Sequence, residues 1–324
     1  MKAKKILLII LLIIILVAVI GVLSIANSAK DDSEKMQIVV TNFATYDFVK
    51  QIIGDSKNME VVFLLEPGMD SHGYEPAAKD IIKIKNAEAF IYVGGELEQW
   101  ADRIVETLDD SKKAVCLLDM ANLIKESEVD GAEHNHKHEE NKGAHEIELG
   151  YDSHVWTSPA NSIKIMKNLT VLISNLDKEN AEIYSDNANK YIVKIKDVQE
   201  KIQDIVDNRV RDRLVFGDRM PMQYFVNEFG LEVSAAFNGC SSDAEPSSKT
   251  ISYLIDRVKT ENIPVILYIE LGNGKVAQTI ADETGSQTAR IQSFHNVSKD
   301  DFYNGETYVS LMIRNLEVLR KALL

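Results

Sequence analysis

The sequence predicts an α/β protein of two lobes, each built on a parallel sheet, with a long helical segment joining them. Three observations predict this. Short apolar runs alternate with amphipathic stretches over residues 37–108, the region from Asn161 to Arg209 contains no glycine or proline, and the alternation resumes from residue 214 onward. Alternating strand and helix patterns place helices on the faces of a parallel sheet. A long stretch without glycine or proline carries none of the usual helix breakers.

In the first lobe, Gln37-Ile-Val-Val-Thr41 reads as a strand, and Tyr46–Ile53 reads as a helix ending at Gly54. Met59–Leu65 is the next strand, followed by a loop and a helix from Pro76 to about Lys85. Ala89–Val93 is a strand stopped by Gly94-Gly95, Leu97–Leu108 is helical, and Ala114-Val-Cys-Leu-Leu118 is a buried strand. The connecting region divides at Asp177. Before it runs a helix over Asn161–Asn175; after it, Tyr184, Ala188, Tyr191, Ile195, Val198, Ile202 and Ile205 recur at spacings of 4 and 3. That spacing lays one apolar stripe along a helix. In the second lobe, strands are expected at Leu214–Phe216, Leu231–Ala235, Val265–Ile269 and Ala289–Ile291. Helices are expected at Pro221–Phe229, Ser247–Thr260, Lys275–Thr284 and Gly305–Leu323. The expected divisions are an N-terminal lobe over 36–158 (with a loop at 130–148), a helical backbone over 159–209 and a C-terminal lobe over 210–324. Ligands of such folds sit beyond the carboxyl ends of the strands, here in the cleft between lobes.

The chain begins Met1-Lys-Ala-Lys-Lys5 and runs on as unbroken apolar sequence from Ile6 to Ile20, extended through Gly21 to Ile25. A basic start ahead of such a run is an export signal. As a helix, Ile6–Ala26 would reach roughly 30 Å, enough to span a hydrocarbon core. Residues 1–29 are therefore either a signal peptide cleaved near Ala29 or a retained membrane anchor, with 30–35 as a polar linker. In both cases the remainder works outside the cytoplasm. No cysteine closes the apolar run, so lipid attachment at that point is excluded. The net charge of −14 becomes −17 once residues 1–29 and their three lysines are removed. This acidity argues against nucleic acid as a partner. Two cysteines, Cys116 and Cys240, are too few for a disulfide framework.

The histidines are the strongest functional signal. Four of the seven, His134, His136, His138 and His145, lie in the acidic stretch Asp130–Glu148; the others, His72, His154 and His295, stand singly in loop contexts. Imidazole is the commonest transition-metal ligand in proteins. His72 follows a strand, in Leu65-Glu-Pro-Gly-Met-Asp-Ser-His-Gly-Tyr-Glu-Pro76, and His154 precedes a helix start, in Tyr151-Asp-Ser-His-Val-Trp-Thr-Ser-Pro159. A nearby helix N-terminus disfavours imidazolium and keeps the ring available to a metal. For either residue alone, a turn or capping role competes with ligation.

These motifs resemble the zinc and manganese solute-binding proteins of ABC importers, the TroA-like group whose lobes are joined by a rigid helical backbone. The resemblance covers nearly all of the exported chain. It rests on Glu66-Pro-Gly…Ser71-His72…Glu75-Pro76, on His154-Val-Trp…Pro159 and the histidine-rich insert before it, and on Tyr224-Phe225…Phe229-Gly230-Leu231. Glu245-Pro246-Ser247 and Leu311-Met-Ile-Arg-Asn-Leu316 add to it. It implies a metal held by His72 and His154, a third histidine and a carboxylate near the C-terminus. The third position is occupied by Arg219, whose guanidinium has no lone pair to give. The carboxylate position falls at Gln292-Ser293, with His295 just beyond. Cys240 follows a second-lobe strand, and a thiolate suits zinc. The expected ligand set is therefore His72, His154, His295 and Cys240, with Asp243 and Glu245 as substitutes and Arg219 as a neighbouring cation.

The resemblance implies a monomeric receptor that captures Zn²⁺, or alternatively Mn²⁺, and hands it to a membrane permease coupled to an ATPase. A nitrogen and sulfur shell favours zinc. Two other readings remain: a surface adhesin with an incidental metal, and a zinc hydrolase using a base such as Glu75. The hydrolase reading lacks a compact motif such as His-Glu-x-x-His. The His-rich insert is expected to sample metal weakly near the cleft mouth. Gly272-Asn-Gly-Lys275 lacks phosphate-loop spacing and reads as a turn, and Trp100 and Trp156 are expected to pack rather than bind sugar.

Overall fold

The computed structural model describes residues 35–70, 73–110, 113–127, 129–132, 150–239 and 245–324. The leader-like segment, His72, the His-rich insert and Cys240 lie outside the described residues.

The first sheet contains β1 (Met36–Val40), β2 (Met59–Phe63), β3 (Ala89–Tyr92) and β4 (Ala114–Cys116), all parallel, in the order β2-β1-β3-β4. The second repeats that plan with β5 (Arg213–Met220), β6 (Glu232–Asn238), β7 (Val265–Ile269) and β8 (Gln287–Ile291), in the order β6-β5-β7-β8. Central β1 is apolar on both faces, and Ile38, Val39 and Val40 are fully buried, as a strand covered on both sides requires. In each sheet the strand order reverses between the first and third strands, which opens a crevice at their carboxyl ends.

Helices α1 (Phe43–Ile53), α2 (Ala78–Asn86) and α3 (Gln99–Val105) belong with the first sheet. The first starts earlier than its apolar pattern predicts because Asn42 Oδ1 accepts from Thr45 N at 2.9 Å and caps it. The predicted break at Asp177 separates α4 (Pro159–Leu176) from α5 (Ala181–Asp207). There the Asp177 carboxylate accepts from Tyr184 Oη, Asn58 and Asn180. All seven residues of the α5 stripe are buried, and α5 packs against α4, α1 and the C-terminal α10 (Tyr308–Leu323). Buried Asp47 on α1 ties these together by accepting from Tyr191 Oη on α5 and from Tyr308 N on α10.

In the second lobe, α6 (Gln223–Phe229), α7 (Ser248–Glu261) and α8 (Lys275–Thr284) sit near their predicted places. A short α9 (Lys299–Tyr303), capped by Ser298, was not visible in the sequence pattern. Strand β5 runs past its predicted end to Met220, with a register break between Phe216 and Arg219. Gly217 sits at that break under α8, where a Cβ would collide with Ala277. The bulge sets the course of the following residues, Asp218 and Arg219. Residues 124–127 and 129–132, ahead of the His-rich insert, cross to the second lobe. Asp130 forms a bridge with Ser234, Ala235 N donates to Asp130 O, and Arg213 and Arg257 pair with the Asp130 carboxylate.

Candidate metal centre

His154 stands just before a 3₁₀ turn (Val155–Thr157) that leads into α4, whose first residue is Pro159 and whose cap is Ser158. The ring is fully buried. Asp152 Oδ1 accepts from His154 N at 2.7 Å and lies 3.2 Å from His154 Nδ1. A carboxylate on Nδ1 selects the tautomer that leaves the Nε2 lone pair for a metal. Asp152 is held in turn, since Tyr224 Oη donates to its carbonyl at 2.7 Å. Gly239, at the end of β6, lies against the same imidazole. A Cβ there would be 3.2 Å from His154 Cε1 and 3.0 Å from Met220 O, so a side chain would press on the ring.

His295 lies on the loop after β8 and is 5% exposed. Its ring centroid is 5.7 Å from that of His154, edge to face, and Trp156 lies 5.6 Å from His154 and 5.1 Å from His295. Two imidazoles bonded to one zinc at about 2.1 Å place their centroids roughly 5 Å apart. The observed separation of 5.7 Å is close to that spacing. Trp156 makes the floor of the pair and donates from Nε1 to Ser293 O at 2.8 Å. It packs, as expected.

The His295 loop turns sharply. Phe294 adopts φ +62°, a left-handed conformation that costs a residue with a side chain roughly 1–2 kcal/mol. It is held there by full burial, by Tyr308 at 4.6 Å and by Ala44 N, which donates to Phe294 O at 3.1 Å. The strained turn sets His295 beside His154.

A carboxylate that sequence reasoning missed stands at this spot. Glu270, at the end of β7, borders the same small cavity as His295, Asp70 and Arg219. Its Oε2 accepts from Ser293 N at 2.8 Å and its Oε1 from Ser293 Oγ at 2.7 Å. Burial pushes its pKa up to about 7, against the lowering effect of those two bonds. The resemblance looked for an acid at Gln292-Ser293; the structure reaches an acid through Ser293 instead. No spacing in the sequence links residues 270 and 293, and only the pairing of β7 with β8 joins them.

Arg219 comes off the bulged end of β5 and pairs with Asp70 at 3.3 Å. Neighbouring Asp218 accepts from the backbone N–H groups of Arg219 and Ile269, and burial raises its pKa. Arg219 thus sits beside the Asp70 and Asp218 carboxylates. Glu245 is exposed before α7, and Glu75 is exposed on a wider groove of about 690 Å³ beside Tyr74 and Lys79. Among the described residues, no three metal-binding side chains cluster. His72, Cys240 and Asp243 lie outside them, but their described neighbours Asp70 and Gly239 reach the His295 cavity and the His154 ring respectively.

Two parallel-sheet lobes joined by a helical backbone, with two buried imidazoles side by side, make a two-lobed α/β fold with a candidate metal centre. The chain belongs to the ZnuA family, the periplasmic component A of the zinc-uptake complex, whose model matches residues 38–322. It is 32% identical over 292 residues to the zinc-binding protein AdcA of Streptococcus pyogenes, covering 88% of this chain and 56% of AdcA. It therefore spans about half the length of that longer relative. It is 30% identical over 305 residues to the high-affinity zinc uptake system protein ZnuA of Bacillus subtilis, covering 94% of this chain and 92% of the other. Among solved structures, the metal-dependent lipoprotein YcdH of Bacillus subtilis superposes with a TM-score of 0.73 at 28% identity, over 90% of this chain and all of that one. The Zn(II)-bound ZnuA-like domain of Streptococcus pneumoniae AdcA superposes with a TM-score of 0.71 at 27% identity, over 89% of this chain and 98% of that one.

Proposed function

We propose that this chain is an extracytoplasmic receptor that captures Zn²⁺ in the cleft between its lobes and delivers it to the permease of an ABC importer. The observation that carries the reading is the convergence of His154 and His295, buried and 5.7 Å apart, although 141 positions separate them in sequence. Relatives named for zinc binding and zinc uptake support the choice of metal and of partner. The ligand set is His72, His154, His295 and Cys240, with Glu270 and Asp152 holding the histidine-bearing segments in place. The division into lobes over 36–158 and 210–324 with a backbone over 159–209 belongs to the same proposal and is supported by the separation of the two sheets.

The test is a titration of the metal-free protein with Zn²⁺ and with Mn²⁺, beside His154→Ala and His295→Ala. The receptor reading expects one tight zinc site, weaker manganese binding and a loss of zinc affinity of at least a hundredfold in each variant. Equal zinc binding by all three proteins would place the metal elsewhere.

A further inference from the structure

Residues 293–297 belong by sequence to the second lobe, yet each of the five bonds to the first. Trp156 Nε1 donates to Ser293 O at 2.8 Å, Ala44 N to Phe294 O at 3.1 Å, Phe43 N to His295 O at 2.8 Å and Gly68 N to Val297 O at 2.7 Å. The fifth residue, Asn296, is 1% exposed and donates from Nδ2 to Glu66 O at 2.8 Å and to Met69 O at 2.9 Å. Its Oδ1 accepts from Val297 N at 2.8 Å. The carboxamide orientation follows from these partners, because a flipped amide would set its oxygen against two carbonyls.

Glu66–Asp70 is the segment that leads into His72. From the second lobe, Asn296, Val297 and the Arg219–Asp70 pair all grip it. We propose that Asn296 is a positioning residue of the metal site: it clamps segment 66–70 to the His295 loop, so both are set relative to each other before metal arrives. The position at which the resemblance expects a third histidine contributes Arg219, which acts through Asp70 on that same segment. The site then loses little order when empty, and zinc escapes slowly because neither loop swings away.

This inference rests on the receptor reading, and its test separates the two. Hydrogen–deuterium exchange of the metal-free full chain is compared with that of Asn296→Leu, which keeps the side-chain size and removes both donors. Zinc release into excess chelator is timed for each protein. Exchange over 66–70 is expected to rise at least tenfold, with β1 and β7 unchanged, and zinc release to quicken at least tenfold. Asp70→Asn, a milder change at a half-exposed position, should shift both in the same direction by a smaller factor, and it keeps the question open to measurement if Asn296→Leu does not fold. Unchanged exchange over 66–70, unchanged release, or a rise spread equally over both sheets would overturn the clamp. If the wild type holds no zinc, the receptor reading fails, and the exchange comparison alone decides the clamp.

Discussion

At the scale of single residues, His154 depends on Asp152 as much as on its own position. The carboxylate lies at both the ring Nδ1 and the backbone N–H, so it selects the tautomer and fixes the ring. Asp152→Ala should lower zinc affinity roughly ten- to a hundredfold, the usual effect of removing a partner behind a metal-binding histidine; competition with a chromogenic chelator measures it. Cys240→Ser should lower zinc affinity by orders of magnitude in the same assay, and unchanged affinity would remove Cys240 from the ligand set. His154 and His295 could be picked out from sequence because histidine is scarce and each stands in a loop setting. Glu270 could not, since Ile269-Glu270-Leu271 reads as an ordinary polar strand end. Its importance comes from Ser293, which reaches it only in the folded sheet.

Among the elements, strands were the easiest to read, because β-branched and aromatic runs mark buried parallel strands wherever they fall. Boundaries were harder. Asn42 moves the start of α1 by a local side-chain bond, and the Gly217 bulge extends β5; neither changes apolar periodicity. The crossing of residues 129–132 to the second lobe left no sequence signal either, since it depends on Asp130 meeting Arg213 and Arg257 from distant elements. This crossing refines a test of the His-rich insert. A deletion of 133–146 that spares the Asp130 network should leave the tight zinc site unchanged and remove only weaker binding events from a calorimetric titration. Loss of the tight site would show that the insert supplies essential ligands.

For the molecule as a whole, each lobe buries a glutamate beyond the carboxyl end of its third strand. Glu98 accepts from Val93 N at 2.6 Å, and burial pushes its pKa up to about 7, as it does for Glu270. A carboxyl group raised on folding stabilises the fold fully below its ordinary pKa of 4.5 and loses that contribution as pH rises through 7. Relative to Glu98→Gln, the metal-free wild type should therefore lose up to about 3 kcal/mol of stability between pH 4.5 and 8. Urea unfolding at both pH values measures it, and a pH-independent difference would mean that Glu98 ionises normally. The two-lobe plan itself was legible because alternation and the glycine-free middle are patterns of the whole chain. The tie between lobes at residues 293–297 was not, because it is made mostly of backbone groups, which every sequence supplies.

The position of the bound zinc is the most direct test of the site. Diffraction from zinc-loaded crystals on either side of the zinc absorption edge locates the ion without assumption. One strong anomalous peak is expected within about 2.1 Å of Nε2 of both His154 and His295. A principal peak bonded to neither imidazole would contradict that expectation.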